Sequence, residues 1–82
     1  MASESAIKTA IERIAGGGYS AWTIGVTDNS ARRRIEHGNP NTWLQWYVDT
    51  ETVARNVERY FLDEGMKGAP GGAGRADYVY IF

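Results

Sequence analysis

Arg33 and His37 lie four residues apart in the stretch Trp22 to Gly38, WTIGVTDNSARRRIEHG. At about 100° per residue on a helix they share one stripe. Two side chains that are cationic, or can become so, repel when stacked one turn apart and gain nothing unless an anion faces them. A solvated face and an anion-binding face both account for this stripe. Arg32 and Arg34 flank it, and Arg32 is one turn from Glu36, the spacing of a solvated ion pair worth a few tenths of a kcal/mol. Glu58 is the second candidate, because on a helix over 51–64 it falls between Ala54 and Leu62, at the edge of the apolar arc. A carboxylate there is costly unless it meets a cation, a metal or several donors. A functional site, an internal ion pair and an exposed edge are its three readings.

The elements that must hold these groups follow from spacing. Ser3 or Ser5 caps a first helix over about 4–15, with Ile7, Ala10, Ile11 and Ile14 on one stripe and Gly16 to Gly18 as its stop. A strand over about 21–27 alternates Trp22, Ile24 and Val26 against Thr23, Gly25 and Thr27. Gly25 inside a strand marks either a bulge or the close approach of another backbone or a ligand. Asp28, Asn29 and Ser30 start a helix over about 30–38, ended by Gly38, Asn39 and Pro40. A second strand covers about 42–48, a capped helix about 51–64, and a closing strand about 77–82. Between the last two, Gly65 to Ala76 reads as a flexible loop; it lacks the Lys-Ser/Thr ending of a phosphate loop and opens no helix, which argues against nucleotide binding. The sum is one α+β domain over 1–82, a small three-stranded, mainly antiparallel sheet packed with three helices.

Composition sets limits. Hydrophobic residues are 43% of the chain, too many for a disordered one. Cysteine is absent, so disulfides and thiolate zinc sites are excluded and a reducing cytoplasm is the expected location. The first residues mix Glu and Lys with aliphatics, unlike a signal peptide, and no run has the length of a membrane span, so no membrane partner is expected. A net charge of −1 gives no global pull toward nucleic acid; such affinity has to be local.

The stretch Thr23-Ile24-Gly25-Val26-Thr27, followed by Arg32-Arg33 and Glu36-His37 and by Glu58 on the next long helix, resembles the GIY-YIG nuclease domain. Thr23 stands where the family's motif has tyrosine. The family's first-strand element is missing before Trp22, and Tyr78-Val79-Tyr80-Ile81-Phe82 resembles it at the other end, which implies circular permutation or a strand exchanged between two chains. By this likeness Arg33, His37, Glu58 and Tyr80 are the catalytic residues, with Thr23, Gly25, Arg32 and Arg34 facing the substrate. The resemblance implies Mg²⁺ or Mn²⁺ at Glu58, Arg33 on a scissile phosphate of nucleic acid, and Tyr80 or His37 accepting the proton of water, the tyrosine pKa being lowered by a nearby Arg or metal. It implies a monomer or a strand-exchanged dimer. Two other readings remain: a non-catalytic module that binds nucleic acid or protein through the basic stripe with Trp43 and Tyr47, and an assembly protein whose edge strand pairs with a partner.

Overall fold

The computed structural model describes residues 3–69 and 75–82. The middle of the expected Gly65 to Ala76 loop lies outside the described residues. Helix α1 spans Glu4–Ala15, strand β1 Thr23–Thr27, α2 Ser30–Glu36, β2 Leu44–Tyr47, α3 Glu51–Glu64, β3 Lys67–Gly68 and β4 Tyr78–Ile81, with a 3₁₀ turn at Tyr19–Ala21 before β1.

Each α-helix begins on a side-chain oxygen that takes one of the first N–H groups. Ser3 accepts from Ala6, Asn29 from Arg32 and Thr50 from Val53, at 3.2, 3.0 and 3.2 Å. Gly16 and Gly65 close α1 and α3 in the left-handed region, at φ 57° and 115°. Helix α2 stops two residues short of the expected end because Gly38 and Asn39 both turn left-handed, at φ 85° and 52°. The 3₁₀ turn likewise delays β1 to Thr23.

Among the described residues the sheet has four strands, in the order β2-β4-β1-β3, and not three. β4 runs antiparallel to both β1 and β2, and β3 runs parallel to β1. The extra strand lies inside the stretch read as loop. Lys67 and Ala69 donate to the carbonyls of Trp22 and Ile24, at 3.0 and 2.9 Å, and two residues are too few to show any alternation. The last strand in sequence therefore sits in the middle of the sheet, between β1 and β2.

Alternation divides the sheet into two unlike faces. On one, Ile24, Val26, Val79 and Ile81 pack with Ala54, Val57 and Phe61 of α3 and Ile7 and Ile11 of α1, all buried. Ile14, expected on the same stripe of α1, is 38% exposed. On the other face, Gly25 lies opposite Tyr80 in register, and α2 covers the pair.

Candidate functional site

The site is centred on the Tyr80 phenol. Tyr80 has no solvent-exposed surface, although its strand alternation turns it away from the apolar core. Its ring crosses β1 at Gly25, where a Cβ would lie 2.4 Å from the phenol oxygen and 2.8 Å from Ala69 Cβ. β1 keeps unbroken register with β4 through this point, so Gly25 does not mark a bulge. The space left by the missing side chain belongs to Tyr80.

Helix α2 brings the partners. His37 Nε2 is 3.1 Å from the Tyr80 oxygen and 3.3 Å from Arg33 Nη2. A guanidinium can only donate, so Nε2 is the unprotonated nitrogen, His37 is neutral with its proton on Nδ1, and the Tyr80 hydroxyl donates to it. Arg33 also hydrogen-bonds the phenol. Burial and the adjacent Arg33 charge hold the His37 pKa below its ordinary 6.5, against an opposite pull from Glu36. The predicted repulsion in the Arg33 and His37 stripe is thus resolved by keeping one member neutral, with Glu36 as the facing anion. Glu36 Oε1 lies 2.7 Å from Arg33 Nη1, while its other oxygen is 3.8 Å from Arg32 Nε. For Arg33, burial lowers the pKa, but hydrogen bonds to Glu36 and Tyr80 and their charges outweigh it and leave a net rise.

This requires α2 to lie with its polar side inward. Arg33 has a side chain only 13% exposed, whereas Ile35 is 69% exposed. Apolar stripes of surface helices ordinarily face the protein; here the surface beneath offers a hydroxyl and aromatic rings, and the guanidinium and imidazole take it. Trp43 stacks on Tyr80 at 4.4 Å between centroids and 13°, and Phe82 packs against His37 at 4.9 Å. The indole N–H of Trp43 donates to Gln45, at 2.9 Å.

The remaining expected residues divide. Glu58 is half-buried, with Arg55 Nη1 at 3.8 Å. Burial raises its pKa, and Arg55 lowers it in part. Its charge is felt at Tyr80, where it raises the phenol pKa. The expected lowering of that phenol is reversed: burial is the largest influence and raises it, and the bond and charge of Arg33 offset only part. Arg34 donates through Nε and Nη2 to the Pro40 carbonyl, at 3.2 and 3.0 Å, so its guanidinium fastens the turn after α2. Arg32 is exposed and pairs with Asp28, at 3.5 Å, as well as Glu36. The Thr23 backbone exchanges both hydrogen bonds with Phe82, at 2.8 and 3.0 Å. Sequence reading missed Glu36 as the clamp on Arg33, although the i, i+3 spacing was its signal, and it placed Trp43 only as packing or a binding platform.

As a metal site, this donor set is sparse. Among the described residues no three His, Cys, Asp or Glu side chains group to hold an ion. The single carboxylate of Glu58 fits Mg²⁺ or Mn²⁺ only with waters and a substrate phosphate completing the shell. No helix is long and apolar enough to cross a membrane among the described residues.

No family model, curated protein or solved structure matches this chain.

Proposed function

We propose that this chain is a GIY-YIG-like, metal-dependent phosphodiester hydrolase acting on nucleic acid in the cytoplasm. The observation that carries the reading is the convergence on one phenol of Arg33 and His37, 43 residues away from Tyr80 for the histidine, by a helix that exposes Ile35 to achieve it. In this reading Arg33 takes a phosphate oxygen, as a planar donor pair suits. The Tyr80 oxygen accepts the proton of the attacking water while its own proton passes along the existing hydrogen bond to His37 Nε2, so the phenol ends neutral and the positive charge rests on the imidazole, in the field of Glu36. Glu58 would hold the divalent ion, which supplies neutralisation of phosphate charge when bound. The test is nicking of supercoiled plasmid with Mg²⁺ or Mn²⁺ by the wild type, Arg33→Ala and Glu58→Ala. Nicking by the wild type alone is the expected result; absence of nicking by the wild type, or equal nicking by Glu58→Ala, overturns it.

One observation favours a second reading, a non-catalytic module on the same face. Tyr80 is completely buried, so an attacking water has no exposed phenol to meet. Titration of labelled DNA at two salt concentrations separates the two: binding with a salt slope and no nicking in any metal selects the module.

A further inference from the structure

The outer edge of β2 has the chemistry of a strand that is meant to be paired. Among the described residues, β2 borders β4 on one side and no other strand. Val48 N–H donates to the Asp77 carbonyl at 2.9 Å, on the β4 side. Alternation along an antiparallel ladder then turns the N–H and C=O of Gln45 and Tyr47 outward, to the open edge. Exposed edges are ordinarily guarded by a charge, a proline or a bulge. From Thr42 to Val48, TWLQWYV, this edge has none of these. Its side chains are also incompletely covered. Leu44 and Trp46 are only partly buried at the margin of the core, whereas Ile81 and Val79, opposite them on β4, are wholly buried, because α3 packs over β1 and β4.

We infer that β2 pairs antiparallel with β2 of a second copy of this chain, about a two-fold axis at Gln45, to make one continuous eight-stranded sheet. The choice of a second copy rests on the self-complementarity of the strand. A two-fold axis normal to the sheet keeps each face on its own side, so paired residues must share a face, as 45 with 45 and 44 with 46 do. Gln45 is the midpoint of the expected strand 42–48, in which no residue is charged. In that register Gln45 exchanges both backbone hydrogen bonds with Gln45 of the second copy, using the groups that point outward. Leu44 meets Trp46 and Trp43 meets Tyr47, an aliphatic-aromatic and an aromatic-aromatic pair of the kind that stabilise strands. At the ends, Asp49 falls opposite Asn41 and not opposite another Asp49, so no like charges face each other. Tyr47, 49% exposed in the single chain, gains a neighbour, and Trp43, which stacks on Tyr80, is held from its outer side. The inference is independent of the hydrolase reading, since it uses no residue's catalytic role.

The test uses the axis itself. Residue 45 is exposed, so Gln45→Lys and Gln45→Glu leave the single chain folded, as far-UV circular dichroism checks, while each places like charges directly opposite across the axis. Sedimentation velocity of the full chain is expected to give twice the 9.1 kDa chain mass for the wild type, the single-chain mass for each variant alone, and the doubled mass again for an equimolar mixture of the two. A wild type that sediments as a single chain at every concentration overturns the inference. So does a Gln45→Lys dimer, or a mixture that fails to reassociate.

Discussion

The two faces of the sheet use the same strands and opposite chemistry. The face under α1 and α3 is aliphatic: Ile24, Val26, Val79 and Ile81 meet Val57 and Phe61, and all are buried. Its stability comes from area removed from water, which is non-directional and tolerant of similar shapes. The face under α2 sets a partly buried arginine side chain and a partly buried, neutral histidine over a buried phenol, and depends on hydrogen-bond direction at each. One helix orientation serves each face. α3 turns its apolar arc inward, while α2 turns Arg33 and His37 inward and leaves Ile35 in solvent. Burying polar groups is costly unless they are hydrogen-bonded, and on the second face the bonds among Arg33, Glu36, His37 and Tyr80 offset that cost.

The comparison predicts graded losses. Phe61→Ala on the aliphatic face should cost about 3–5 kcal/mol in urea unfolding, and a loss below about 1 kcal/mol would mean that the core is not where we place it. Gly25→Ala should cost about 1–3 kcal/mol by overpacking, because its Cβ would overlap the phenol and Ala69; it should also move the His37 ring resonances, which a purely local backbone effect would leave in place. Tyr80→Phe should cost about 1 kcal/mol, and its readout is His37, whose imidazole loses a donor and changes its titration. Ile35→Lys should fall within about 0.5 kcal/mol of wild type. A loss of 2 kcal/mol or more, the size expected for a buried aliphatic, would show that α2 faces inward by its apolar side after all.

Proton linkage separates the faces again. The folded His37 pKa is lowered by burial and by Arg33 from 6.5, so the unfolded chain binds the proton first as pH falls. The neutral form's contribution to stability is complete above the unfolded pKa, declines as pH drops below it, and is lost by the folded pKa. Glu58 has the opposite sense: its pKa is raised by burial, so it favours folding below its ordinary range and opposes it as pH rises through the folded value. Urea midpoints at neutral pH and in mild acid, for wild type and His37→Gln, should differ by less in the variant; an equal difference would remove His37 as the source.

Much of this architecture could be read in advance and some of it could not. The bounds of α1 and α3 follow from a capping side chain at one end and a left-handed glycine at the other, both local signals. β3 could not be found, since its pairing with β1 is decided by backbone bonds from Lys67 and Ala69 and not by any side-chain pattern. The stripe of Arg33 and His37 was legible on a helical wheel, but not which side of the wheel meets the sheet, because that depends on Tyr80 arriving from the far end of the chain. For the same reason Gly25 announced a close approach without naming what approaches. Arg34 read as a flanking residue facing the substrate; that its guanidinium reaches the Pro40 carbonyl depends on the turn after α2, which spacing alone does not give.

The claim that the α2 face is a built polar site is tested most directly by the ring nitrogens of His37 followed by NMR through a pH titration. The account predicts a neutral ring with its proton on Nδ1 and an accepting Nε2 at pH 7, and protonation only below 6.5. A proton on Nε2 at neutral pH, or titration at or above 6.5, would contradict it, for then neither Arg33 nor the Tyr80 hydroxyl could be donating to that nitrogen.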